Sequence, residues 1–161
     1  VTLLLMMEQL AEAETENDLY FVFTAQEEIG LRGAGAAAFA VEPDVAIAVD
    51  VTDTGDLPEM KTAMAVKMGG GPAVKVMDRS VICSPAVCDG LEKAAELLGI
   101  STQREILQCG GTDTAALQKA RAGVAAGAVS IPTRYIHSPS EMCAVSDVEQ
   151  SAALLAKFAV L

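Results

Sequence analysis

The chain has 161 residues, a length that fits one domain or part of one. Hydrophobic residues make up 52% of the composition, but a charge or a glycine interrupts each apolar stretch, which argues against a membrane span. The formal net charge of −11 disfavours a nucleic-acid partner, because phosphate binding requires clustered Lys and Arg side chains.

The chain opens on an amphipathic pattern, which predicts a helix over residues 1–15. This pattern is already under way at Val1, which is not Met, so we expect the chain to be part of a longer protein. The next segment, Leu19–Thr24, is a continuous run of apolar β-forming residues. It is predicted to be a strand buried on both faces.

Strands and helices are predicted to alternate through the remaining sequence. In order, these elements are a loop over Gln26–Gly35, a helix over Ala34–Val41, a strand over Val45–Val51, a loop over Thr52–Met60, a strand over Ala73–Met77, a helix over Pro85–Leu98 capped by Gly99, a strand over Thr102–Gln108, a helix over Thr112–Ala120 capped by Thr112 or Asp113, a strand over Gly123–Ile131, a loop over Pro132–Ser140 and a helix over Ser146–Leu161. Repeated strand–helix units predict a single α/β domain with helices on both faces of a sheet.

Three predicted strands are followed by polar side chains. Glu27 and Glu28 follow the first, Asp50 and Asp53 lie at the second, and Arg134–His137 follows the last. Ligands bind sheets of this kind at the carboxyl ends of their strands. Because buried carboxylates need a cation or a proton, this convergence indicates a functional site.

Glu27 and Glu28 allow two interpretations, a solvated acidic turn or a catalytic pair. Neighbouring side chains point in opposite directions in extended backbone, so one carboxylate could bind a metal while the other activates water. The pair suits a glycoside hydrolase poorly, because two carboxylates must flank a glycosidic bond at about 5–9.5 Å.

Asp50 and His137 are the other candidates. Asp50 is either a cap or a metal ligand, and His137, the only histidine, is either a surface residue or a ligand. An imidazole together with several carboxylates matches a zinc or cobalt hydrolase site.

Three further motifs are less specific. Gly33-Ala34-Gly35 indicates close helix packing rather than dinucleotide binding, because Gln26–Arg32 separates these glycines from the preceding strand. Gly110–Thr114 is either a turn with a helix cap or the lining of a substrate cleft. The four cysteines include no CxxC pair, which predicts reduced thiols in a cytoplasmic protein.

Taken together, several segments resemble the glutamyl-aminopeptidase and tetrahedral-aminopeptidase family of cocatalytic metallopeptidases. They occur in order over nearly the whole chain and are FTAQEEIGLRGA (23–34), PDVAIAVDVT (43–52), GDLP (55–58), GGGPA (69–73), GGTDT (110–114) and SIPTRYIHSPSE (130–141). The resemblance implies a zinc-exopeptidase-like fold, a three-layer α/β/α sandwich with a mixed, mostly parallel sheet.

The resemblance also implies the chemistry, which is the release of N-terminal amino acids from peptides at a site for two divalent cations, zinc or cobalt. Glu27 matches the general base that activates water. Glu28 and His137 match ligands of one cation, and Asp50 matches a ligand of the other.

The sequence departs from the family pattern in lacking two upstream ligands, a histidine and a bridging aspartate, and a small inserted assembly domain. We therefore expect residues 1–161 to be the C-terminal portion of a catalytic domain that binds metal weakly or not at all by itself. The full-length protein is expected to form a homo-oligomer.

Two other functions stay open. One is a catalytically incomplete or non-catalytic domain of this fold. The other is a glycoside hydrolase of the glucanase type, which the 4% aromatic content without Trp disfavours, since sugars stack on aromatic rings.

Overall fold

A computed structural model describes residues 1–58 and 63–161. In chain order the elements are α1 (Thr2–Leu10), α2 (Arg32–Val41), β1 (Val45–Asp53), β2 (Ala73–Met77), α3 (Pro85–Leu98), β3 (Gln103–Ile106), α4 (Thr114–Gln118), β4 (Ala125–Arg134), β5 (Met142–Cys143) and α5 (Val145–Ala159). The last two residues of the predicted Thr52–Met60 loop lie outside the described residues.

The strands form one sheet in the order β1-β4-β2-β3, with β5 added to β4. β1 and β4 pair in parallel over nine positions, and β2 and β3 pair in parallel over four. The antiparallel pairings of β4 with β2 and with β5 cover two positions each. The sheet is therefore mixed and mostly parallel, as predicted.

Helices cover both faces of the sheet, which gives the expected three-layer α/β/α sandwich. On one face, Val74 and Val129 of the sheet pack against the buried leucines Leu91 of α3 and Leu154 of α5. On the other face, α4 packs on β1 and β4, and α2 packs on α4. Because side chains alternate between the faces of a strand, Ser130 beside Val129 belongs to this second face.

None of the helices in the described parts of the chain is long and apolar enough to span a membrane.

The best-predicted helix is α3, which begins at Pro85 and is followed by Gly99 with a φ of +67°. Both signals are local, since proline suits the first helical turn and glycine tolerates the left-handed C-cap. α4 is shorter than predicted. Asp113 stands at its N-cap position, but no side chain there makes a capping hydrogen bond.

The strand predicted over Leu19–Thr24 is wrong, because this segment belongs to no strand ladder in the described structure. Tyr20 and Phe23 are 66% and 63% exposed, so the segment is not buried on both faces. Its composition does favour extended backbone, but a strand also requires a hydrogen-bonding partner beside it.

Other boundaries differ by a few residues. The first helix ends at Leu10 rather than at residue 15. β1 continues to Asp53, and β4 continues to Arg134 through the start of the predicted Pro132–Ser140 loop. The two strands extend together because they pair with each other, up to Asp53 beside Thr133.

Asp147 anchors a glycine turn beneath α5. Its carboxylate accepts hydrogen bonds from the backbone N–H groups of Gly69 at 2.7 Å and Gly71 at 3.1 Å. Gly71 has a φ of +91°, and a Cβ added there would lie 1.9 Å from the carbonyl oxygen of Ser101. The turn is therefore closely packed, and Asp147 itself is fully buried.

Replacing Asp147 with Ala is expected to lower the free energy of unfolding by about 2–4 kcal/mol, because two backbone N–H groups lose a charged acceptor. Urea unfolding followed by circular dichroism measures this loss. The exposed Glu149 on the same helix provides the control, since Glu149→Ala is expected to change stability by less than about 0.5 kcal/mol. An equal effect of the two substitutions would show that the turn does not depend on Asp147.

Candidate active site

Two loops bring Glu28 and His137 together although they are 109 positions apart in the chain. Glu28 lies between the segment Leu19–Thr24 and α2, and His137 follows β4. The His137 Nε2 atom lies 3.1 Å from the Glu28 Oε1 atom, and the two side chains are 68% and 74% exposed. An imidazole and a carboxylate thus face solvent side by side, open to a ligand.

The backbone of both loops adopts an unfavourable conformation. Six non-glycine residues in the described structure have positive φ, and four of them lie here. Gln26 (63°) and Leu31 (57°) bracket Glu28, while Tyr135 (58°) and His137 (59°) lie in the other loop. Such backbone costs about 1–3 kcal/mol per residue and clusters at functional sites, so this placement supports a functional role for the pair.

Packing and hydrogen bonds hold the Glu28 loop in place. The N–H of Gly33 donates to the carbonyl oxygen of Ala25 at 2.9 Å. A Cβ added to Gly33 would lie 2.6 Å from that backbone, so the glycine is needed for this contact. Gly33 therefore allows a close contact of α2, but the contact is with the loop at Ala25 and not with another helix. Just before the loop, the Thr24 hydroxyl donates to Asp113 at 2.7 Å.

The His137 loop is fixed by two carboxylates. Arg134, at the end of β4, donates to Asp56 through Nε at 3.1 Å and through a terminal nitrogen at 2.6 Å. The backbone N–H of His137 donates to the carboxylate of Glu141. The Arg134–Asp56 pair ties the segment that carries the imidazole to the segment that follows β1, and the Glu141 contact lies within the loop itself.

Glu27 lies among several other carboxylates. Burial raises its pKa first, and the negative charges of Asp50, Asp113 and Glu28 raise it further, against the opposing effect of His137. A carboxylate with a raised pKa is a better proton acceptor near neutral pH than an ordinary glutamate. The environment of Glu27 therefore suits a general base.

Asp50 lies within β1, next to Ser130 of β4. One of its oxygens accepts a hydrogen bond from the N–H of Val51 at 2.8 Å. Burial raises the pKa of the Asp50 carboxyl, and the Val51 N–H and the charge of Lys75 act in the opposite direction. Burial likewise raises the pKa of Asp53, opposed by His137. A cation near these partly buried carboxylates is favoured, because it would offset their negative charge.

A buried charge network lies next to Asp50 and was not predicted. Lys75 and Glu105 are fully buried and within hydrogen-bonding distance of each other. The Lys75 ammonium is also 3.6 Å from Asp78, and the Thr52 hydroxyl donates to Glu105 at 2.8 Å. The network joins β1, β2 and β3 on the same face as Asp50.

The loop over residues 110–114 contacts both the network and the site. Thr112 donates to Asp78 at 3.4 Å, and Asp113 raises the pKa values of Glu27 and Asp50. The sequence left this loop open between a turn and a cleft lining, and the structure places its carboxylate beside the candidate base. Asp113 is thus a candidate site residue that the sequence did not single out. The motif GGTDT was its only signal.

The donors fit a divalent cation in kind but are few in number. Glu28 and His137 offer a carboxylate oxygen and an imidazole nitrogen, which suit a first-row metal. Within residues 1–58 and 63–161, however, no group of three or more His, Cys, Asp or Glu side chains is arranged to hold a metal ion.

The Arg134–Asp56 pair predicts an acid-dependent loss of stability. Hydrogen bonding to Arg134 lowers the pKa of Asp56 from 3.8 to about 2. Because the folded-state pKa is depressed, the contribution is complete above about pH 4 and is lost as pH falls from 3.8 towards 2. We expect Asp56→Asn to cost about 1 kcal/mol at pH 7 and about half as much at pH 3. Urea unfolding at both pH values measures the change. The exposed Asp44→Asn is the control, and a pH-independent cost for Asp56→Asn would contradict the assignment.

Comparison with known proteins identifies the family. The model of the M42 glutamyl aminopeptidase family matches residues 1–154. The chain belongs to this family. A relative from Acetivibrio thermocellus is 54% identical over 142 residues, which are 88% of this chain and 43% of that protein. The chain thus spans less than half the length of the curated relatives it matches.

Solved structures of the family share the fold. An aminopeptidase from the archaeon Desulfurococcus kamchatkensis is 37% identical, with a TM-score of 0.91 over 99% of this chain and 46% of that one. The TET1 peptidase of Pyrococcus horikoshii, described as assembling into a tetrahedron or a large octahedral shell, is 32% identical. Its TM-score is 0.83 over 98% of this chain and 46% of that one. The predicted resemblance to this family is therefore confirmed.

Proposed function

We propose that this chain supplies part of the active site of a metal-dependent aminopeptidase, which releases N-terminal amino acids from peptides. The observation that carries the proposal is the contact of Glu28 with His137 at 3.1 Å, next to Glu27, in a member of the M42 family. As predicted from the sequence, residues 1–161 would form the C-terminal portion of the catalytic domain.

Each residue has a distinct role in this proposal. Glu28 and His137 would hold one divalent cation and Asp50 a second, with zinc or cobalt as the metal. Such cations polarise the scissile carbonyl and make water more acidic. Glu27 accepts the proton of the attacking water, for which its raised pKa is suited, and returns it to the departing amine.

The acidic surroundings also suit the substrate. An aminopeptidase must recognise a free α-amino group, which is cationic at neutral pH. Asp113 and Asp50 add negative charge beside Glu27, so a peptide N-terminus is attracted to this end of the sheet. Peptide substrates, a homo-oligomer like that of the Pyrococcus horikoshii peptidase, and a cytoplasmic location belong to the same proposal.

A glycoside hydrolase is not favoured by the site. Its two carboxylates would have to flank the bond at about 5–9.5 Å, with a separate role for each. Glu28 instead pairs with an imidazole, an arrangement that suits metal binding.

The test is a chimera in which this chain replaces the matching 142 residues of the Acetivibrio thermocellus relative. We expect the chimera to cleave a fluorogenic aminoacyl substrate, to lose activity in a chelator, and to leave the N-acetylated substrate intact. The chain alone is expected to be far less active, because it presents only part of the coordination shell. A folded chimera whose activity survives chelation, or that cleaves both substrates equally, would refute the proposal.

A further inference from the structure

The buried charge network reaches β1 at a point two residues from Asp50. The Thr52 hydroxyl donates to the Oε1 atom of Glu105 at 2.8 Å, and the Lys75 ammonium donates to the same oxygen. Thr52 is 1% exposed, and Lys75 and Glu105 are fully buried. One carboxylate oxygen on β3 therefore joins side chains of β1 and β2.

Glu105 is the principal partner of Lys75, because the other carboxylate of the network has donors of its own. One oxygen of Asp78 accepts hydrogen bonds from the N–H groups of Ser80 and Val81 and from the Ser80 hydroxyl, at 2.7 to 3.1 Å. Its other oxygen lies 3.6 Å from the Lys75 ammonium. A charge-assisted hydrogen bond between fully buried groups then holds Lys75 and Glu105 in one geometry.

The Asp50 carboxylate takes its orientation from the backbone of β1. Its Oδ1 atom accepts a hydrogen bond from the N–H of Val51 at 2.8 Å, and within residues 1–58 and 63–161 no hydrogen bond ties it to another strand. Thr52 is the next residue of β1 on the same face of the sheet. Because Asp50, Val51 and Thr52 are consecutive, a shift of Thr52 moves the N–H that orients Asp50.

Ser130 is the alternative residue that could hold Asp50, since the two are direct neighbours on β4 and β1. Ser130 is fully buried, but its hydroxyl has no hydrogen-bond partner in the described parts of the chain, and neither has the Oε2 atom of Glu105. Both contacts of Glu105 thus fall on its Oε1 atom, and the contact of this atom with Thr52 is the side-chain hydrogen bond that tethers this end of β1 on the Asp50 face.

We infer that Glu105 is a positioning residue for the cation at Asp50 and acts through the Thr52 hydroxyl. Lys75 holds the Glu105 carboxylate in place, and that carboxylate holds Thr52. Thr52 in turn holds the stretch of β1 that places the Asp50 carboxylate. Removing a partner that lies just outside a coordination shell typically lowers metal affinity about 10–100-fold. The inference rests on the proposed function, in which Asp50 binds the second cation.

The test is cobalt(II) titration of the chimera and its Thr52 variants, followed by calorimetry and visible absorption. Thr52→Val removes the donor and keeps the shape of the side chain, whereas Thr52→Ser keeps the hydroxyl. We expect Thr52→Val to weaken the binding of one cation by about tenfold or more and to change its absorption spectrum. Thr52→Ser should bind like the parent.

A change at Glu105 tests whether the effect of Thr52 passes through it. The double variant Lys75→Met/Glu105→Leu removes the acceptor together with its counter-charge and should weaken the same cation. Adding Thr52→Val to that variant should have no further effect, because Thr52 then has no acceptor to lose. Additive losses would show that Thr52 acts independently of Glu105 and would overturn the inference.

Two further variants separate this role from general stability and from the proposed function. Ser151 is fully buried on α5, beneath the opposite face of the sheet, and its hydroxyl donates to the Asp147 carbonyl oxygen at 2.6 Å. Ser151→Ala should leave cobalt binding unchanged, and a loss equal to that of Thr52→Val would overturn the inference. Glu28→Gln removes a ligand of the first cation. Weaker binding in Glu28→Gln with unchanged binding in Thr52→Val would overturn the inference alone, whereas unchanged binding in both would overturn the proposed function with it.

Discussion

Replacing Lys75 with Met is expected to lower the free energy of unfolding by about 3–5 kcal/mol, the cost of leaving a buried charge without its partner. Lys75 is fully buried between Glu105 and Asp78, and it is the cation of this buried cluster. Its removal leaves two buried carboxylates next to Asp50. Urea unfolding of the wild-type and variant chains at pH 7 measures the loss.

Arg104 provides a matched control on the neighbouring strand. Arg104 pairs with Glu92 at 2.7 Å, but its side chain is 68% exposed, so Arg104→Met should cost less than about 1 kcal/mol. The double variant Lys75→Met/Glu105→Leu should recover part of the loss, because it removes one of the unpaired charges. If Lys75→Met costs no more than Arg104→Met, the network does not stabilise the sheet beneath the site.

Replacing Glu27 with Gln is expected to lower the turnover of the active chimera by about 10²–10⁴-fold, the range typical of a lost general base. Glutamine keeps the shape of the side chain and cannot accept the proton of water. The effect should fall on kcat more than on KM, because proton transfer occurs in the chemical step. Hydrolysis of an aminoacyl fluorogenic substrate under saturating metal measures both constants.

Two readouts separate this role from a structural one. Glu149→Gln changes an exposed glutamate on α5 and should leave kcat unchanged. Glu27→Gln should leave stability unchanged or raise it, because burial and neighbouring carboxylates make the ionised Glu27 unfavourable. A Glu27→Gln chimera with wild-type kcat would remove Glu27 from the mechanism.

Local signals in the sequence allowed some elements to be predicted closely. Proline and glycine at its ends marked α3, and the predicted strand Ala73–Met77 has the same bounds as β2. The segment Leu19–Thr24 shows the limit of such signals. Its residues favour extended backbone, but pairing depends on a partner that is distant in sequence. In the described structure, this segment and β1 line the same cleft.

The site was predicted only in part, because some of its contacts join residues that are distant in sequence. Acidic residues after strands and a single histidine indicated that Glu28 and His137 would meet, and they lie 3.1 Å apart. Nothing in the sequence marked Lys75 as buried, since its partner Glu105 is 30 residues away. The positive φ values of Gln26 and Tyr135 were equally unmarked, because neither residue is glycine. The catalytic and metal-binding roles themselves stay predictions.

Cobalt(II) titration tests the central claim most directly, because it probes the contact of Glu28 with His137 without requiring turnover. Calorimetry and the visible absorption of bound cobalt are to be followed in the chimera and in its Glu28→Gln, His137→Asn and Glu149→Gln variants. The account predicts that the first two variants lose at least about tenfold in affinity for one cation and change its absorption spectrum, while Glu149→Gln binds like the parent. Identical binding and spectra in all four proteins would contradict the account.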